Sequence, residues 1–158
     1  MDDSLSTDDK SANNAVAYPP VDIVVVAHNP DEWFGDVLTS FAIQDYPDFN
    51  VIVLTTGEES TMRNFVFESL PEAEVITVDS EHGYGRNLNS VLDLERSSAY
   101  FLFCHHDVAL APDALRLMVE ESLRSNAGIV GPKIVNWDRP DELLDIGFSI
   151  DKLGFLIP

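Results

Sequence analysis

The chain is short of three things, and each shortage removes a class of function. Its single cysteine is Cys104, so no disulfide can form within the chain and a reducing compartment fits. Basic residues number 9 against 28 acidic ones, a formal net charge of −19. No basic stripe is present to neutralise phosphates, which argues against nucleic acid and disfavours anionic membranes as partners. No apolar run approaches the roughly 20 residues of a membrane helix. The amino terminus carries Asp2, Asp3, Asp8 and Asp9 and no apolar segment, so it does not read as a secretory signal. The expectation is a cytoplasmic chain without a membrane segment, its parent protein free or at the cytoplasmic face of a membrane. Also missing are a GxSxG nucleophile elbow and a GxxxxGK[ST] phosphate loop.

What is present is enough apolar residue, 45% of the chain, for one globular domain. Residues 1–19, polar and acidic, are expected to form a disordered tail, and residues 20–158 the domain. Strand and helix patterns then alternate. Asp22–Ala27 and Val51–Leu54 are continuous β-branched or aliphatic runs, the pattern of strands buried on both faces. Between them Trp33, Phe34, Val37, Leu38, Phe41 and Ala42 recur at helical spacing. A helix is predicted near Glu59–Leu70, a third strand over Glu74–Val78, and a helix carrying Leu88, Val91 and Leu92. Tyr100–Phe103 predicts a fourth, buried strand. A helix over 112–125 follows, with Leu115, Met118, Val119 and Leu123 on one face. A fifth strand is expected over Gly128–Gly131, reaching towards Val135, and another over Ile146–Ile150. This alternation predicts a three-layer α/β/α sandwich with a mostly parallel, Rossmann-like central sheet. The apolar last segment, Leu153–Pro158, carries no cap, so a domain incomplete at its carboxyl end is expected.

Open α/β sheets bind ligands beyond the carboxyl ends of their strands. There the fourth strand gives way to His105, His106 and Asp107. His105 and Asp107 lie two apart, so an extended backbone turns both to one side, and an imidazole with a carboxylate could hold one divalent cation. The alternative is a polar loop closing a strand. His82, His105 and His106 lack the HxxxH or paired CxxC spacing of a zinc site, so Mg2+ or Mn2+ at Asp107 is the better expectation. Cys104 reads as a small buried hydrophobe rather than a nucleophile. Ala27-His28-Asn29 forms a second strand-end loop, unless Asn29 or Asp31 merely caps a helix. Gly83-Tyr84-Gly85-Arg86 opens a helix, where two glycines allow a ligand to approach the backbone and Arg86 can meet a phosphate. It follows the third strand rather than the first, which excludes the dinucleotide fingerprint.

In order and spacing these segments resemble the nucleotide-binding part of the family 2 glycosyltransferases, of the GT-A fold, from about Val21 to Val135. The resemblance rests on Val24-Val-Val-Ala-His-Asn29, on Gly83-Tyr-Gly-Arg-Asn-Leu-Asn89, on Tyr100 to Leu115 with its DxD-type motif, and on Gly128-Ile-Val-Gly-Pro-Lys133. It implies a nucleoside-diphosphate sugar, with a UDP-sugar expected, and a carbohydrate or lipid-linked acceptor. It implies that Ala27, His28, Asn29, Thr55, Thr56 and Gly57 border the base and ribose. Gly83, Arg86, Asn89 and His106 would line the same cleft. Asp107, with His105, would hold Mg2+ or Mn2+ against the diphosphate. It implies inverting transfer, with the acceptor's base in the part of the family domain beyond this chain's last residue. The chain departs from the family where His105 replaces the first aspartate of DxD and where Thr55-Thr56 replaces the acid after the second strand. The alternatives are a non-catalytic nucleotide-binding or scaffolding module with a decayed metal site, and a nucleotidyltransferase. The second would need a glycine- and Arg/Lys-rich loop after the first strand, which Ala27-His28-Asn29-Pro30 does not supply.

Overall fold

β-branched and aromatic side chains suit a pleated, enclosed surface, and the apolar runs become four parallel strands. The structure, a computed structural model, describes residues 18–28, 30, 32–147, 149–150, 152–153 and 155–157. β1 (Val21–Ala27), β2 (Phe49–Thr55), β3 (Glu74–Thr77) and β4 (Tyr100–His105) form one sheet in the order β3-β2-β1-β4. Val21 pairs with Phe49 and with Tyr100, Ala27 with Thr55, and Val26 with His105. The strands therefore finish level, and their carboxyl-end loops share one rim. The expected acidic tail falls outside the described residues except at Tyr18 and Pro19.

Side-chain alternation assigns the layers. Val21, Ile23 and Val25 of β1 pack against Phe34, Val37, Leu38 and Phe41 of α1 (Phe34–Ala42). The same cluster takes in Met62 and Val66 of α2 (Glu59–Phe67), and Leu115 and Val119 of α4 (Ala114–Ser125). On the opposite face Val24, Val26, Ile52 and Leu54 meet only α3 (Tyr84–Leu92), through Leu88 and Val91. The architecture is the expected α/β/α sandwich, with three helices on one face and one on the other among the described residues.

This asymmetry corrects the reading of the fourth strand. β1 is buried along its whole length, whereas β4 lies at the sheet's edge with Phe101 half-buried and Phe103 exposed. The two rings stack on each other, 6.0 Å apart, on the thinly covered α3 face. The fifth strand is also corrected. Gly128–Gly131 forms no strand, and Ile129 is 94% exposed. Two glycines and then Pro132, which lacks a backbone donor, disfavour a ladder there. Pairing begins later and antiparallel, between β5 (Ile134–Val135) and β6 (Leu143–Asp145). The strand expected over Ile146–Ile150 is shifted likewise: β6 ends at Asp145, and only Ser149–Ile150 (β7) pairs, with Leu156–Ile157 (β8). Leu123 is exposed, not on the buried face of α4, which Ser122 occupies instead. Trp33 and Ala42 are likewise exposed at the two ends of the α1 stripe. Asn126 adopts the left-handed conformation that closes α4 (φ 54°).

Polar groups order the loop that follows β4. Gln44, just past the end of α1, donates to the Ala111 carbonyl (2.8 Å) and accepts from the Leu115 amide (3.0 Å). Ser40 accepts from the Leu110 amide at 3.0 Å. These buried bonds clamp the segment between Asp107 and α4 onto α1.

At the amino ends of the strands, Asp22 is fully buried and paired. Asn50 Nδ2 donates to its carboxylate at 2.9 Å, and Arg96 lies 3.4 Å away while also bridging to Glu74.

Candidate active site

Four loops meet at the carboxyl rim of the sheet. From β1 comes His28, exposed, whose Nδ1 lies 2.6 Å from Oγ1 of Thr56 after β2. Thr55, the last residue of β2, is buried; its hydroxyl accepts the Gly57 amide (3.1 Å) and fixes the turn out of the strand. Ala27 is enclosed, so only its backbone can border a ligand. Asn29 lies outside the described residues.

From β4 come the histidines and Asp107. The sequence expectation that His105 and Asp107 share a side is met, with Nδ1 and Oδ1 2.6 Å apart. Both are open to solvent, at 50% and 64% exposure. His106 turns the other way. Its Nδ1 sits 3.2 Å from the Val26 carbonyl, and its ring meets the edge of buried Phe34. The two imidazoles lie 4.4 Å apart, so each limits the other's rotation.

From the glycine-bearing loop comes α3, with Gly83 as its amino-terminal cap. Tyr84, which the sequence reading treated only as a loop residue, joins this helix to the rim. Its hydroxyl donates to the Cys104 carbonyl (3.1 Å), and its ring lies 6.0 Å from that of His105. Burial raises the Tyr84 phenol above its ordinary pKa. Arg86 and Asn89 are exposed farther along α3. Among the described residues, no hydrogen bond or ring contact ties either to His28, His105 or Asp107. The buried asparagine of the helix is Asn87, which donates to the His82 carbonyl at 3.3 Å.

A second element missed in the sequence is Glu58. It stands exposed at the amino-terminal cap position of α2, with extended backbone. The Ser60 and Thr61 hydroxyls bond its carboxylate, at 2.7 and 3.0 Å, and hold its pKa below the usual value. With Pro30, Thr55, Gly57, Thr61, Met62 and Phe65 it lines a cleft of about 430 Å³. The signal was its place directly after Gly57 at a strand's carboxyl end.

Cys104 fits its reading as a buried hydrophobe: it is 5% exposed, and desolvation pushes its thiol to about 12. A thiol held protonated offers no nucleophile or metal ligand. Among the described residues no group of three or more His, Cys, Asp and Glu side chains could hold a metal ion. The His105–Asp107 pair therefore suits a cation only where substrate oxygens and water complete the shell, which is the ordinary way Mg2+ or Mn2+ is held beside phosphates.

The family model described as "Glycosyltransferase like family 2" matches residues 19–151. A teichoic acid poly(glycerol phosphate) polymerase of Staphylococcus epidermidis is 25% identical over 114 residues, 70% of this chain and 16% of that protein. The crystal structure of S. aureus TarS 1–349 superposes with a TM-score of 0.56 at 19% identity, over 68% of this chain and 33% of that one. The same TarS segment in complex with UDP-GlcNAc gives 0.55 at 17% identity, over 68% and 32%. The chain thus spans a third or less of these proteins. The structural likeness speaks for the fold, and among the described residues no helix is long and apolar enough to cross a membrane.

Proposed function

This chain belongs to the glycosyltransferase-like family 2, and on that premise we propose that it is the donor-binding part of an inverting, divalent-metal-dependent glycosyltransferase. The donor is a nucleoside-diphosphate sugar, with UDP as the expected nucleotide because the related TarS structures were obtained with UDP and UDP-GlcNAc. The acceptor is a hydroxyl of a carbohydrate or lipid-linked molecule. The observation that carries the reading is the His105–Asp107 pair, 2.6 Å apart and exposed, on the same rim as the His28–Thr56 pair.

Each group has a stated task. His28, Thr55, Thr56 and Gly57 border the base and ribose, with Asn29 beside them by sequence. Glu58 in the adjoining cleft supplies a carboxylate near the place where Thr55-Thr56 stands instead of the family's acid. Gly83 and Arg86 at the head of α3 line the diphosphate side, with Asn89 and His106 at its margin. His105 and Asp107 would hold Mg2+ or Mn2+. Such a cation, when bound, neutralises charge on the leaving nucleoside diphosphate while the acceptor oxygen attacks the anomeric carbon. A net charge of −19 repels a diphosphate, so local positive charge at this rim is needed for binding. No residue of this chain is assigned as the base that takes the acceptor's proton.

Calorimetric titration of UDP into the chain, with Mn2+ and with EDTA, tests the proposal. Binding should require Mn2+ and be lost in Asp107→Ala, while circular dichroism shows that variant folded. Equal binding by Asp107→Ala in Mn2+ would remove Asp107 from the site. No binding of UDP, GDP or dTDP by the folded chain would favour a decayed, non-catalytic module.

A further inference from the structure

We propose that His105 makes this rim selective for Mn2+ over Mg2+. The inference rests on the metal-assisted reading above and adds which cation the chain's own donors favour.

The donor set is fixed by what each neighbouring group can reach. Cys104 is buried within β4 and carries no thiolate to the rim. His106 directs Nδ1 at the Val26 carbonyl rather than at solvent. Among the described residues no third His, Cys, Asp or Glu side chain joins a metal-holding group, which leaves the imidazole of His105 and the carboxylate of Asp107, two positions apart on one loop. Without a thiolate, the softer thiophilic ions lack their preferred ligand, and a lone imidazole is a poor start for a tetrahedral zinc site. Mg2+ demands near-ideal octahedral oxygen coordination and gives up water reluctantly. Mn2+ accepts carboxylate and water, and it binds mixed nitrogen–oxygen sites as a first-row transition ion.

Geometry agrees with a chelate. Bonds of about 2.1 Å to two adjacent octahedral positions place the donor atoms about 3.0 Å apart. Nδ1 and Oδ1 stand 2.6 Å apart, so a modest opening of the pair admits an ion between them. The imidazole proton then resides on Nε2, leaving Nδ1 as the ligand. The Tyr84 ring at 6.0 Å and the His106 ring at 4.4 Å restrict the turning of the imidazole.

The test measures metal affinity directly. Loss of the Mn2+ paramagnetic resonance signal beyond that caused by UDP alone, with UDP saturating, gives the Mn2+ affinity of the whole chain, and competition gives that of Mg2+. Wild type should bind Mn2+ at least about tenfold more tightly than Mg2+. His105→Asp, which restores an all-oxygen pair, should bring the two ions to within about threefold of each other. His105→Asn serves as a second variant of smaller charge change and should narrow the gap in the same direction. Equal wild-type affinities, or a gap unchanged in both variants, would overturn the selectivity while leaving metal-assisted binding in place. UDP binding that is the same in Mn2+ and EDTA, with no loss of the Mn2+ signal, would overturn both.

Discussion

The two ends of one sheet carry polar residues put to opposite uses. At the amino end, Asp22 is buried and answered by Asn50 and Arg96, and Arg96 in turn reaches Glu74. These residues come from three strands and the loop before β4, so their contacts lock the sheet. At the carboxyl end, His28 pairs with Thr56 across two loops and His105 with Asp107 within one, and both pairs face water. Removing such a group costs the fold little and a ligand much. The difference teaches that residue type alone does not mark a site: what matters is whether a polar group's partners enclose it.

The contrast can be broken at several points. The largest effect is expected in the core between the two ends. Phe41 is fully buried, and Phe41→Ala should cost about 3–5 kcal/mol in urea unfolding. Phe103→Ala on the exposed edge should cost well under half of that; comparable losses would mean that β4 is enclosed in solution. Next, Arg96→Ala leaves the Asp22 carboxylate buried with one neutral donor. A loss of about 3 kcal/mol is expected, with UDP affinity retained in the folded protein. If stability holds and affinity falls, the amino-end cluster belongs to function instead. Gln44→Ala strips the Leu115 amide and the Ala111 carbonyl of their partner, for a loss of about 1–3 kcal/mol. Because Gln44 fixes the segment after Asp107, UDP binding in Mn2+ should weaken as well. The smallest stability change is expected at Asp107→Ala, within about 0.5 kcal/mol as for an exposed surface position.

How far the sequence carried these assignments follows from the same physics. β1 and β4 are similar apolar runs, and both were read as buried strands. Period and composition identify a strand, but only the neighbouring elements decide which faces are covered. β1 lies between two strands, while β4 has β1 on one side and little over its α3 face. The i, i+2 spacing of His105 and Asp107 was legible because strand geometry is local. The turning of His106 onto the Val26 carbonyl was not, because that contact spans 80 positions. Gln44 and Ser40 were hidden for a related reason: the apolar stripe of α1 drew the reading, and polar residues beside it showed no partner until α4 was in place. Glu58 is exposed, but two adjacent acids do not by themselves show that only the second belongs to the helix.

The central claim is that the carboxyl rim, and not the charged amino end, receives a nucleotide. Amide chemical-shift mapping of the isotopically labelled chain with UDP and Mg2+ tests it most directly, a diamagnetic ion being needed for the spectra. The account predicts saturable shifts at His28, Thr56, Gly57, Tyr84 and His105–Asp107, with Asp22, Asn50, Glu74 and Arg96 unmoved. Shifts centred on Asp22 and Arg96, or none anywhere at millimolar UDP, would contradict it.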